Sequence, residues 1–313
     1  MPELRNPEPL DILILGGAGQ VGTELRNPDL WAAGTRLSAP GREALDITDG
    51  AAIDAALAAR PYAAVVNAAA YTAVDKAEAD IAAAWALNAV APALLAAATA
   101  RVGIPLVHVS TDYVFDGQGQ GACTPDTPVN PQSVYGASKA AGEMAVRAAN
   151  PRHAIIRTAW VVSPHRGNFV KTMLRLAGER ERLSVVDDQH GNPTSAGDLA
   201  AGLAVIAQRL ARDAAAPTGT HHFVNDGPTT WCGFARGILA ASARRGARAV
   251  PVDAIPTSAF PTPARRPANS RLSTQSLTDA YGLTPRPWAE ALEDILDRLV
   301  GPVRAQDSKE TRA

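Results

Sequence analysis

The stretch that most limits the fold is Leu10–Leu15 (LDILIL), which runs straight into Gly16-Gly17-Ala18-Gly19-Gln20-Val21-Gly22. A short, almost unbroken apolar run is what a strand buried on both faces requires. The glycines allow a tight turn, and a short helix then reads from about Gln20 to Arg26, stopping before Pro28. Strand, glycine turn and helix in that order aim a helix N-terminus at a pyrophosphate. The spacing Gly16, Gly19, Gly22 is G-x-x-G-x-x-G rather than G-x-G-x-x-G. A purely structural turn is the competing reading, and the flanking strand and helix favour a dinucleotide cofactor.

The alternation of strand and helix continues. A second strand, Thr35–Ala39, ends in Ala39-Pro40-Gly41-Arg42 with no acid at its tip. Sites for NAD usually put a carboxylate there for the ribose hydroxyl, whereas an arginine suits a ribose phosphate. Arg42 therefore points to NADPH rather than NADH, with a solvated loop arginine as the alternative. Thr48 or Asp49 caps a helix ending near Ala59, and Ala63–Asn67 reads as a third buried strand. The small residues that follow, Ala68-Ala69-Ala70, let a flat cofactor lie against the backbone. An alanine-rich helical region spans about Ala77 to Ala100, and a local backbone hydrogen bond accounts for Asn88 within it. Pro105–Val109 is the fourth strand, with Ser110, Thr111, Asp112 and Tyr113 at its carboxyl end, the edge where ligands bind in open α/β sheets. Their hydroxyls suit a substrate carbonyl, or simple strand-end capping. After a Gly/Pro-rich loop, Asp116–Pro131, comes Tyr135-Gly-Ala-Ser-Lys139. Its phenol and ammonium lie one helical turn apart on one face. The ammonium favours the ionised phenol, bringing a group that normally titrates near about 10 towards working pH as a proton donor or acceptor.

A strand His153–Arg157, a helix Ala196–Arg212, a strand His221–Asn225 and a helix Thr230–Ala243 capped by Thr229 or Thr230 complete the pattern. The proline-rich Pro251–Pro267 has no periodicity and reads as a loop over the substrate, and Pro287–Val300 as a closing helix. His221 and His222 have no ligand partners at metal spacing and read as strand residues; His190 is a loop candidate for substrate contact. The reading is an α/β fold: a Rossmann-type doubly wound parallel sheet with a smaller, discontinuous C-terminal α/β substrate domain. The nucleotide-binding part takes 10–165 plus about 195–225, the substrate part about 166–194 plus 226–300, with flexible tails at 1–9 and 301–313. A length of 313 residues suits one large and one smaller domain, and the net charge of −1 argues against a nucleic-acid partner. Apolar stretches are broken before membrane-spanning length, and two distant cysteines suit a reducing compartment, so a cytoplasmic location is expected.

Four motifs together, Gly16-x-x-Gly-x-x-Gly22, Asn67-Ala-Ala-Ala-Tyr-Thr-Ala-Val-Asp75, Ser110-Thr-Asp-Tyr-Val-Phe115 and Tyr135-x-x-x-Lys139, resemble the extended short-chain dehydrogenase/reductases. Arg157-Thr-Ala-Trp-Val161, Asp187-Asp-Gln-His-Gly-Asn-Pro-Thr194 and the run from Pro256 to Leu272 narrow the resemblance to the dTDP-4-dehydrorhamnose reductase family, over about Leu10 to Leu299. The resemblance implies reduction of the 4-keto group of dTDP-4-dehydro-L-rhamnose by NAD(P)H. It implies Thr111, Tyr135 and Lys139 as catalytic residues. Around the cofactor it sets Gly16, Gly19, Gln20, Val21, Gly22, Asp46, Ile47, Ala69, Ala70, Tyr71 and Thr72. Val74, Asp112, Tyr113 and Trp160 face the sugar nucleotide, with core packing as the alternative for Trp160; Arg266 and Arg271 hold the diphosphate, or are solvated. It also implies a homodimer, in some members with Mg2+ held by glutamates at the interface. Here Glu24 matches one of them, but Gly197 stands where another is expected and Asp198 is displaced by one. Neither the metal nor that dimer mode follows for this chain. Two alternatives remain: another nucleotide-sugar reductase, epimerase or dehydratase, or a non-catalytic regulatory subunit on the same fold. A dehydratase would carry an acidic pair beside its threonine, whereas Thr111 is followed by Asp112-Tyr113.

Overall fold

In the computed structural model, which describes residues 9–303, six parallel strands form one sheet. They are β1 (Asp11–Leu15), β2 (Arg36–Ser38), β3 (Ala64–Asn67), β4 (Leu106–Thr111), β5 (His153–Thr158) and an edge strand, Gly219–His222. Their order is β2-β1-β3-β4-β5-edge. The chain steps from β1 to β2 on one side and then crosses to β3 on the other, so the topological switch lies between β1 and β3. Ligands of open α/β sheets bind outside the carboxyl ends of the strands at such a point.

The apolar runs have the composition they do because both faces of the sheet are covered. Ile12 and Ile14 pack with Val66, Val107 and Ile156 under the helix Ala196–Arg212, while Leu13 and Leu15 pack with Val65, Leu106 and Ile155 under the opposite layer. A separate core gathers Val162, Val170, Met173, Leu183, Phe234, Ile238, Leu292 and Ile295. It is made by the helices Phe169–Glu179, Trp231–Ala243 and Trp288–Val300 and by two short paired strands. One of those strands, Val252–Ile255, lies inside the stretch expected to be only loop. It runs parallel to Leu183–Val186, and four residues between prolines are too few to display a period in the sequence.

The caps expected at Asp49 and Thr230 form, and the structure adds caps at Ser133 and Ser195. Asp49 accepts from Ala51 and Ala52, Ser133 from Gly136, Ser195 from Asp198 and Thr230 from Gly233. The expected tails at 1–9 and 301–313 lie outside the described residues except Pro9 and 301–303.

The alanine-rich region differs from expectation. Val74–Ala77 is a separate turn of helix, and Ile81–Arg101 is a helix whose middle, Ala86–Val90, widens to π geometry. Pro92 explains the widening: a proline ring clashes with the carbonyl four residues earlier, here that of Asn88. By length and composition Ile81–Arg101 could span a membrane, contrary to the expectation that every apolar stretch is interrupted. In this fold, however, Ala91, Leu95, Ala96 and Ala98 are buried against the sheet layer.

Candidate active site at the carboxyl ends of β3 and β4

The glycine turn is fitted tightly to the end of β3. Gly16 has φ +78°, and a Cβ there would lie 2.6 Å from the Ala69 nitrogen. A Cβ on Gly22 would lie 2.1 Å from the Gly16 carbonyl oxygen. The helix Gln20–Leu25 that follows has no side-chain cap at Gly19, so its first N–H groups face outward without a side-chain acceptor. That arrangement fits a pyrophosphate. Ile47 is buried in the core, and Asp46 accepts hydrogen bonds from the Thr48 amide and hydroxyl, which hold its carboxyl below the usual range. Arg42 is exposed, its Nε 3.6 Å from Asp46. The Gln20 side chain turns away from the turn to Ser163 and Asn168.

The helix Val134–Ala149 carries Tyr135 and Lys139 and docks beside β4 at two glycine contacts. A Cβ at Gly136 would lie 2.2 Å from the Tyr113 carbonyl oxygen, and one at Gly142 would lie 2.1 Å from that of Asn88. The wide π turn thus pushes its backbone against the helix. The Asn88 side chain is fully buried: Oδ1 accepts from Tyr71 N at 2.8 Å, while Nδ2 donates to Tyr71 O and to Ser138 Oγ, each at 3.1 Å. This corrects the local role expected of Asn88, which ties the loop after β3 to the residue preceding Lys139. A second anchor lies one turn past Lys139. Glu143 and Arg157 form a buried two-pronged pair, 2.9 and 2.8 Å, and Arg157 also donates to the Pro125 carbonyl. Burial pushes the Glu143 carboxyl up, but the Arg157 fork outweighs it and holds it below its ordinary range.

Tyr135 and Lys139 are both buried. Tyr113 packs edge-on against Tyr135 at 5.4 Å, and Tyr71, Val74 and Val134 belong to the same apolar cluster. The electrostatics run opposite to the simple expectation that Lys139 lowers the phenol's pKa. Burial holds the Tyr135 phenol above its ordinary value; the Thr111 hydroxyl opposes this, while Asp112 and Tyr113 add to it. Lys139 donates to the Val109 carbonyl at 2.7 Å, and burial brings its pKa down to about 8. A phenol kept protonated is suited to give a proton rather than take one. Thr111 caps the turn after β4, accepting from Tyr113 N and donating to Asp112 Oδ1 at 3.0 Å. The Asp112 carboxyl is pushed up to about 6 by burial, and its Oδ2 has no hydrogen-bond partner.

The substrate-side candidates are held by side chains instead. Trp160, at φ +49°, stacks on Trp231 at 3.7 Å, and a Cβ on Gly191 would strike its ring. Arg266 donates to Asp75 and to the Tyr113 phenol, placing it beside the Tyr113–Tyr135 pair. Arg271 is bound to Asn269 and the Gln120 carbonyl. Ala69, Ala70 and Thr72 lie in the loop after β3, Thr72 exposed. His190 is exposed in a two-residue strand, and His221 and His222 lie in the edge strand.

The comparisons with known proteins decide the family. Residues 10–300 match the sequence model of the RmlD substrate binding domain. The dTDP-4-dehydrorhamnose reductase of Burkholderia thailandensis is 42% identical over 290 residues, 90% of this chain and 97% of the relative. The chain belongs to the dTDP-4-dehydrorhamnose reductase family. The enzyme of that name from Streptomyces griseus is 43% identical over 92% of this chain and 94% of its own. Among solved structures, the family member from Clostridium acetobutylicum superposes with a TM-score of 0.85 at 37% identity, covering 93% of this chain and 99% of that one. The member from Bacillus anthracis, solved in complex with NADP, gives 0.83 at 33% identity, covering 92% and 99%.

The Mg2+ ligands of the family do not fit this chain. Glu24 is paired with Arg298 at 2.7 Å and His165 at 3.0 Å, Gly197 offers no carboxylate, and Asp198 is taken by Arg286 and Asn225. Among the described residues no three acidic, histidine or cysteine side chains converge.

Proposed function

We propose that this protein reduces the 4-keto group of dTDP-4-dehydro-L-rhamnose to the alcohol of dTDP-L-rhamnose, with NADPH as the preferred coenzyme. The observation that carries the reading is the continuous line from the Gly16 turn through the loop after β3 to Thr111, Tyr135 and Lys139 at the next strand end. The nicotinamide coenzyme, when bound, supplies the hydride. The glycine turn and the uncapped helix N-terminus would hold its pyrophosphate, and Arg42 a ribose phosphate. Tyr135 gives its proton to the keto oxygen as negative charge develops there, and its raised pKa keeps it loaded for that step. The Thr111 hydroxyl stabilises the same oxygen. Lys139 orients the nicotinamide ribose and restores the Tyr135 proton. Val74, Asp112 and Trp160 bound the sugar, and Arg266 and Arg271 supply the guanidinium forks that match a diphosphate. We assign Mg2+ no part in this chemistry.

The test is to incubate the protein with dTDP-4-dehydro-L-rhamnose and NADPH or NADH and follow reduced-coenzyme absorbance. Steady loss, faster with NADPH, is expected. No loss with either coenzyme would sink the reductase reading and favour a regulatory subunit on the same fold.

A further inference from the structure

One buried histidine has no place in the mechanism above. His108, in the middle of β4, is fully enclosed between Asn67 and Lys139. Its Nδ1 lies 3.1 Å from Asn67 Nδ2, and its Nε2 lies 3.4 Å from Lys139 Nζ. The hydrogen-bond partners dictate where its proton sits. The Ala69 amide can only donate, and it donates to Asn67 Oδ1 at 3.1 Å. The Asn67 amide is thereby oriented with its NH2 towards His108, so Nδ1 must accept. Burial and the neighbouring Lys139 keep His108 neutral, and a neutral imidazole with Nδ1 accepting carries its hydrogen on Nε2. That N–H points at Lys139. An ammonium has no lone pair to receive it, and Nζ already donates to the Val109 carbonyl at 2.7 Å. The contact is a hydrogen bond when Lys139 is an amine, and donor against donor when it is an ammonium.

We propose that His108, with its tautomer locked by Asn67, is a positioning residue that presents an N–H to Lys139 and so sets the pH at which that lysine gives up its proton. This rests on Lys139 belonging to the cofactor site. Of the other ionisable groups, Glu143 acts on Lys139 from its own helix; Asp112 and Tyr113, after β4, act on Tyr135, and Arg157 on β5 is bound to Glu143. Glu143, committed to Arg157, favours the ammonium, so His108 is the neighbour that opposes it in direct contact. The consequence is chemical. Once Tyr135 has protonated the substrate oxygen, the phenolate needs a proton back. A lysine whose proton is held less tightly than an ordinary ammonium's reloads it faster than one of ordinary basicity.

Two measurements test this. Long-range 1H–15N spectra of the full chain with 15N-labelled histidine, the His108 signals assigned by their loss in His108→Gln, read the tautomer without coenzyme or substrate. A neutral ring protonated on Nε2 is expected; a ring protonated on Nδ1, or an imidazolium at pH 7, overturns the proposal and leaves the reductase reading intact. The second is the pH profile of kcat, which includes the reloading step. His108→Phe removes the N–H, so the alkaline limb should move up by about one pH unit. His108→Gln can present an acceptor to Asn67 and an N–H to Lys139, so its limb should stay with the wild type. A loss of rate in His108→Phe with an unmoved limb would mean a merely structural histidine. If His108→Phe does not fold, the tautomer alone decides.

Discussion

The β3–β4 side of the site and the late-loop side are built by different means. On the first side the main anchors are buried and bound to backbone: Asn88 clasps the backbone N–H and C=O of Tyr71, Lys139 holds the Val109 carbonyl, and glycines let helices touch carbonyl oxygens. On the second, Trp160 leans on Trp231, and Arg266 reaches Asp75 and Tyr113 from a partly exposed loop. A buried polar group left without its partner costs about 1–3 kcal/mol, whereas an exposed pair is worth about 0–1 kcal/mol. The first side therefore has one arrangement and suits bond-making chemistry. The second can yield to its ligand and suits recognition.

That contrast can be broken by mutation. The largest effect should come from Gly136→Ala, whose methyl has no room against the Tyr113 carbonyl. A stability loss of about 3 kcal/mol is expected, read by denaturant unfolding. Next is Asn88→Ala, which strands the Tyr71 amide. It should cost about 2 kcal/mol and lower kcat with little change in KM. Loss of stability with kcat intact would mean that the clasp supports the fold alone. On the recognition side, Arg266→Ala should raise KM for the sugar nucleotide by about tenfold and leave unfolding within about 0.5 kcal/mol of wild type. The smallest effect is that of Arg42→Ala. It should narrow the preference for NADPH over NADH by less than about tenfold, because Arg42 is exposed and already near Asp46.

The same division explains what could be read from the chain. Leu10–Gly22, the caps at Asp49 and Thr230, and the helix Ala196–Arg212 were legible because period, turn chemistry and capping act locally. Gly136 and Gly142 look like ordinary helix residues until the carbonyls they admit are known. Asn88 was misread because its partners lie 17 and 50 residues away. Pro92, four residues on, was the one local sign of something unusual in that helix. His108 and Glu143 were not singled out in the sequence, because the partners that give them meaning, Asn67 and Lys139 for one and Arg157 for the other, come from other elements. The direction of the Tyr135 shift was beyond the sequence, since it depends on how deeply the phenol is buried. Short paired strands such as Val252–Ile255 leave no period to detect.

The central claim is that Tyr135 is the proton donor of a carbonyl reduction at the end of β4. The direct measurement is single-turnover oxidation of bound NADPH by dTDP-4-dehydro-L-rhamnose in Tyr135→Phe beside the wild type, with coenzyme affinity measured on the same samples. The account predicts unchanged NADPH binding and a rate lower by at least about 100-fold. A variant that binds NADPH and turns over at the wild-type rate would contradict it.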